Sequence, residues 1–193
     1  MLRRLYDWVI VQAEKPWALW SLVVISFMES SVFPIPPDVL MIPMIIAAPR
    51  RAWLIASVCT AASVAGGALG WFIGAELLDT IGRPVLEFYG KADAFETLAA
   101  SYNEQGFWAV LIAGVTPFPY KVITIFSGAT GLDFWLFMAT SLLARSLRFF
   151  VIAALLWKFG PSIRDFIDRR FGWVATGAIV LLVAGFAVVK WAI

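Results

Sequence analysis

Apolar positions in this chain come in long runs, and two of those runs are interrupted by proline. The first extends from Pro16 to Ala48, 33 residues, where a single membrane span needs about 20. Its middle reads FPIPPDVLMIP, and its two ends are both basic, at Lys15 and at Arg50 and Arg51. A broken backbone at membrane depth is tolerated where it is buried in protein. The pattern therefore predicts a re-entrant hairpin that enters and leaves by one face, with Pro34, Pro36 and Pro37 at its tip. A full span follows, Ala52 to Leu78, carrying Ala62, Gly66, Gly70 and Gly74 at every fourth position. Such a small-residue stripe lets another helix approach closely.

Residues 79–105 are the longest polar stretch. Phe95, Leu98, Ala99 and Tyr102 share one helical face, Asp93 and Glu96 resemble a capping pair, and Gly106 is the expected stop. An interfacial amphipathic helix is the reading. The apolar pattern then returns from Gly106 to Leu132, broken by TPFPYKVITI with Pro117 and Pro119 at a second tip. Phe134 to Trp157 is a second full span. A basic linker, 158–172, leads to a last span, 173–193. Residues 1–15 read as an interfacial lead-in.

At an offset of 83 residues the broken stretches correspond: Pro34 with Pro117, Pro36 with Pro119, Val39 with Val122 and Ile42 with Ile125. Asp38 falls on Lys121. Orientation follows from lysine and arginine, which are enriched on the cytoplasmic side. With the N-terminus cytoplasmic, nine lie inside (Arg3, Arg4, Lys15, Arg50, Arg51, Lys158, Arg164, Arg169, Arg170) and three outside (Arg83, Lys91, Lys190). The two halves then enter from opposite faces. The expected fold is an all-α polytopic membrane protein. It has two inverted-topology repeats (16–78 and 106–157), each a proline-broken re-entrant hairpin plus a transmembrane helix, and an extra C-terminal span. All of it forms one membrane domain. Inverted repeats with broken helices are a transporter architecture.

Composition agrees, with 62% hydrophobic and 15% charged residues against about 45–50% and 25% in soluble domains. There is no histidine and one cysteine, Cys59. That excludes a histidine-based triad, histidine zinc sites and a disulfide framework. No metal site, cofactor or enzymatic nucleophile-plus-base set is expected. The net charge of +2 is too small and scattered for a nucleic-acid surface.

Against this background five ionisable residues fall where hydrocarbon is expected: Glu29, Asp38, Lys121, Arg145 and Arg148. Each would cost about 2.5–3.5 kcal/mol if unpaired at a helix centre. Asp38 and Lys121, at equivalent tips, suit either a structural ion pair or a proton site at Asp38. Glu29 suits an arginine partner or a proton relay. Arg145 and Arg148 share one face of the second span. With Lys121 they form a set that suits a phosphate, because guanidinium forks match phosphate oxygens.

Glu29 followed by SSVFPIPPDVLMIP, then GGALGWFIGAELL and GVTPFPYKVITIFSGATGLDFWLF, resembles the DedA family, whose shared region is the VTT or SNARE-associated domain, in its YqaA-like branch. The likeness covers roughly residues 20–160. It implies two facing re-entrant hairpins, a bacterial inner-membrane location and movement of lipids between leaflets. Implied cargoes are undecaprenyl phosphate and glycerophospholipids, with proton or sodium coupling in some members. The family's acidic positions map onto Glu29 and Asp38, and its basic position after the second prolines onto Lys121. The family's upstream arginine is missing, with Gly114, Val115 and Thr116 in its place, and Arg145 and Arg148 are the candidates to supply that charge. The expected function is a flippase or scramblase for a phosphate-bearing lipid. The alternatives are a proton- or sodium-coupled small-solute transporter, or a membrane-integrity or assembly factor without transport. Expected partners are phosphate-headgroup lipids, with protons, sodium and further copies of the chain admissible.

Overall fold

The computed structural model describes residues 17–32, 36–116 and 118–160. The lead-in, Pro34, Pro117, nearly all of the basic linker and the last span lie outside the described residues. Within them the chain is helical, without strands: α1 (Ala18–Ser31), α2 (Asp38–Ala47), a 3-10 turn (Pro49–Arg51), α3 (Ala52–Leu77), a π turn (Leu78–Gly82), α4 (Arg83–Phe88), α5 (Ala92–Glu104), α6 (Gly106–Val115), α7 (Tyr120–Ala129) and α8 (Phe134–Gly160). Two helical segments, Pro49–Phe88 and Phe134–Gly160, are long and apolar enough to cross a membrane. They contain the two full spans expected, and the first runs on beyond Leu78 into what reads as a polar stretch.

Directions follow from paired contacts. Ser26 meets Cys59 and Ser30 meets Ser63, so α1 and α3 run the same way, in step. Trp53 stacks on Phe150 near one end of α8, while Trp71 meets Phe134 at the other. Helix α8 is therefore antiparallel to α3. Ala18 of α1 and Ala52 of α3 share one apolar core with Met41, Ile45, Phe149 and Leu156. Helix α2 thus carries the chain from the end of α1 back toward the start of α3. In the other half Gly106 packs on Leu132 and Gly114 on Ala144, which sets α6 alongside α8 in the same direction. Helix α7 returns along α3, with Thr124 at Gly70 and Gly128 at Trp71.

The glycine stripe explains why α3 can sit between α1 and α7. A Cβ at Gly66 would lie 2.1 Å from the Phe27 carbonyl oxygen, and one at Gly74 would lie 1.9 Å from that of Ile125. Gly128 answers from α7, its Cβ position 1.8 Å from the Trp71 carbonyl. Backbone touches backbone at all three. No side chain can give way there.

One expectation for the polar stretch changes. Helix α5 starts after Lys91 without a side-chain cap, so Asp93 and Glu96 do not form a capping pair; Asp93 lies inside the first turn. Helix α5 ends at Glu104 with Gln105 as its C-cap, next to the expected stop at Gly106, and Gly106 itself opens α6 beside the Leu132 side chain. Tyr102 does dock the helix, through its hydroxyl to Ser127 (2.8 Å) and its ring to Phe126. Burial pushes the Tyr102 phenol up, against the Ser127 bond that lowers it.

Gly66→Ala and Gly74→Ala should each destabilise the protein by about 3 kcal/mol or more, since overpacking alone costs about 1–3 and here backbones must part. Gly67→Ala, whose Cβ would meet only side chains at 3.5 Å or beyond, should change little. Thermal unfolding of the detergent-solubilised variants checks the contrast.

Candidate functional site

The interrupted helices end against one another. Glu29, in the last turn of α1, accepts the Tyr120 backbone N–H that opens α7 (3.3 Å) on Oε1. The Thr124 hydroxyl of α7 bonds the Ser30 carbonyl at 2.9 Å, and Lys121 Nζ bonds the carbonyl of Val32, the residue that ends α1, at 3.1 Å. Opposite them, Thr116 ends α6 and Asp38 begins α2, and Arg148 of α8 joins the two. It donates through one terminal nitrogen to the Thr116 carbonyl and through the other to Asp38 Oδ2, at 2.5 Å. Cations at the carbonyl ends and a carboxylate at an amino end follow the sign of the helix dipole. They also supply partners to the backbone groups that a broken helix leaves open.

Arg145, one turn earlier on α8, is the most enclosed charge. Its side chain is 2% exposed and pairs with Glu29 at 2.8 Å. Its Nε donates to Ser63 of α3 (2.7 Å), and its guanidinium lies 4.6 Å from the ring centroids of both Tyr120 and Phe149. Ser30 bonds both Ser63 (2.6 Å) and Glu29 Oε2 (3.1 Å). The Tyr120 hydroxyl donates to Ser141 at 2.6 Å. Glu29 and Arg145 are thus held from four helices.

The five charges singled out in the sequence therefore do converge, though in different pairs. Asp38 meets Arg148, not Lys121. Lys121 is half-buried and has no carboxylate partner among the described residues. Arg145, placed beside Lys121 and Arg148 as a phosphate ligand on spacing alone, has both Nε and a terminal nitrogen committed to protein groups. Pro36, Pro37 and Pro119 stand at the starts of α2 and α7; Pro34 and Pro117 lie outside the described residues. Sequence reasoning missed Ser63, Ser141 and Tyr120. Ser63 and Ser141 are polar positions inside apolar spans, but nothing in the sequence sets them apart from Ser57, Thr60 or Thr140.

Long apolar helices together with paired charges at the junctions of short ones define a helical membrane protein. A family model for the VTT domain matches residues 35–158, and the chain belongs to that family, the DedA family. It is 32% identical over 190 residues to an uncharacterized protein of Haemophilus influenzae, with 96% of each chain covered. An uncharacterized homologue from Histophilus somni is 34% identical over 190 residues, covering 96% of this chain and 97% of the relative. No solved structure matches.

The two ion pairs should respond differently to substitution. Arg145→Met or Glu29→Gln leaves a buried partner stranded, for which the loss is about 3–5 kcal/mol. Arg148→Gln strands a partner that is 17% exposed at its side chain and should destabilise markedly less. Comparing the thermal midpoints of the three variants measures this.

Proposed function

We propose that the protein moves a phosphate-bearing lipid between leaflets, as a flippase or scramblase. The observation that carries this reading is a charge imbalance where the broken helices meet. Two carboxylates, Glu29 and Asp38, stand among three cations, Lys121, Arg145 and Arg148. Among the described residues two pairs form there and one positive charge is left over, on Lys121, whose partner is a carbonyl oxygen. A site inside apolar surroundings with one net positive charge favours an anion. A lipid phosphate can bring that anion while its chains stay in hydrocarbon.

On this reading α1–α2 and α6–α7 are two re-entrant hairpins related by an axis in the membrane plane, in a multi-pass inner-membrane protein with a cytoplasmic N-terminus. Lys121 and Arg148 hold the phosphate. Arg145 and Glu29 position them by fixing α8 against the ends of α1 and α7. The cargo class is a polyprenyl phosphate or a glycerophospholipid.

One observation favours a second reading. Asp38 Oδ1 is buried and has no hydrogen-bond partner among the described residues. A proton or sodium ion driven by a gradient would find an oxygen ready there, and the cargo would then be a small solute. Cargo flux that needs an imposed gradient and survives removal of all lipid analogues would decide for it.

Purified protein in proteoliposomes should move a fluorescent phospholipid or a short-chain polyprenyl phosphate across the bilayer. Arg148→Ala and Lys121→Ala should each slow this by about tenfold or more while remaining folded, the loss expected from one charged hydrogen bond of about 1.5–3 kcal/mol. Full rates in both variants would remove the site assignment. Absence of lipid movement by the wild type under any gradient would remove the function.

A further inference from the structure

Arg145 and Arg148 present the same guanidinium edge, Nε with one terminal nitrogen, to a carboxylate, and they use it differently. Arg145 fills both positions, Nε with Ser63 and the terminal nitrogen with Glu29. Arg148 fills one. Its terminal nitrogen holds Asp38 Oδ2, while Arg148 Nε and Asp38 Oδ1 are both buried and both without a partner among the described residues. A carboxylate and a guanidinium can form two parallel bonds, and here the pair makes one. Leaving a buried donor and a buried acceptor open is costly, so this contact is the weaker of the two by construction. It is also the more accessible, with side chains 16% and 17% exposed against 2% and 10% for Arg145 and Glu29.

We propose that Asp38 is an internal competitor of the phosphate: its carboxylate occupies the Arg148 edge until a phosphate group displaces it. This rests on the lipid-phosphate reading above and adds the residue that sets headgroup affinity. A phosphate has the oxygens to engage Nε and the terminal nitrogen together, which Asp38 in its present position does not. The remaining terminal nitrogen stays on the Thr116 carbonyl, so Arg148 can change anions without releasing the end of α6. Asp38 lies at the start of α2, and its release frees that helix end at the moment the headgroup arrives. Removing its charge should therefore tighten phosphate binding. If the pair is closed about nine-tenths of the time, apparent affinity is held down about tenfold.

The test is calorimetric titration of the detergent-solubilised full chain with short-chain phosphatidic acid and, separately, with inorganic phosphate. Asp38→Asn should bind phosphatidic acid about tenfold more tightly than wild type, with Asp38→Ser as the second variant if Asp38→Asn is not monodisperse. Arg148→Gln should bind weakly. The double variant Asp38→Asn/Arg148→Gln should bind as weakly as Arg148→Gln alone, because the competition acts through Arg148. Unchanged or weaker binding in both Asp38 variants overturns the proposal. So does a gain that persists without Arg148, since that reports only the removal of a negative charge. A gain for inorganic phosphate alone supports the competition and removes the lipid as its source. Wild-type lipid translocation with no gain in either Asp38 variant removes the competition and leaves the lipid reading in place.

Discussion

A fully enclosed guanidinium sets the terms for the centre of this protein. Arg145 cannot be left uncompensated in hydrocarbon, where even the lowest scales charge about 2.5–3.5 kcal/mol for it. It takes Glu29 from α1, Ser63 from α3 and the Tyr120 ring from the start of α7. Glu29 sits in the last turn of α1, Tyr120 at the first residue of α7, and Ser63 inside α3. Satisfying one charge therefore ties the end of α1 and the start of α7 to the middle of α3. The Tyr120 N–H is among the donors with no partner inside its own helix, and it falls on Glu29 Oε1. The ion pair and the helix start solve each other's problem.

The glycines of α3 make that arrangement reachable. Ser63 can meet Ser30 because Gly66 and Gly70 bring the backbone of α1 close to α3, while Gly74 and Gly128 do the same for α7. A single methyl at Gly66 would drive the Phe27 carbonyl outward and carry Glu29, two residues on, with it. Packing and electrostatics are therefore not separate contributions here. The close approach is the condition for the short polar bonds. Those bonds in turn hold together helices that, between apolar surfaces in lipid, gain little from the hydrophobic effect.

Much of this was legible in the chain, and the limits have physical reasons. The proline interruptions, the two long spans and the glycine stripe are local signals, each read from a few consecutive residues. The five charges stood out because hydrocarbon makes them costly. Which charge meets which was not legible, because pairing depends on the rotation of α8 about its axis. One turn separates Arg145 from Arg148 and sends them to different carboxylates. The correspondence of Asp38 with Lys121 placed them at equivalent tips. The starts of α7 and α2, however, face the ends of α1 and α6, so Lys121 reaches the Val32 carbonyl and Asp38 reaches the arginine that holds Thr116. In the polar stretch the end of α5 beside Gly106 was legible, whereas the capping role read into Asp93 and Glu96 was not realised, since α5 starts after Lys91 without a side-chain cap.

The difference between the two halves is where the chemistry lies. At one junction Lys121 meets a carbonyl directly, and a single cation completes the contact. At the other the corresponding residue is Asp38, whose sign is wrong for a carbonyl, and Arg148 must stand between them. One junction thus holds a cation with no carboxylate partner among the described residues, and the other an arginine shared between a helix end and a carboxylate. With aspartate at one helix start and lysine at the other, the described charges at this centre sum to one positive, and of the two ion pairs only Asp38–Arg148 leaves a buried donor and a buried acceptor open among the described residues.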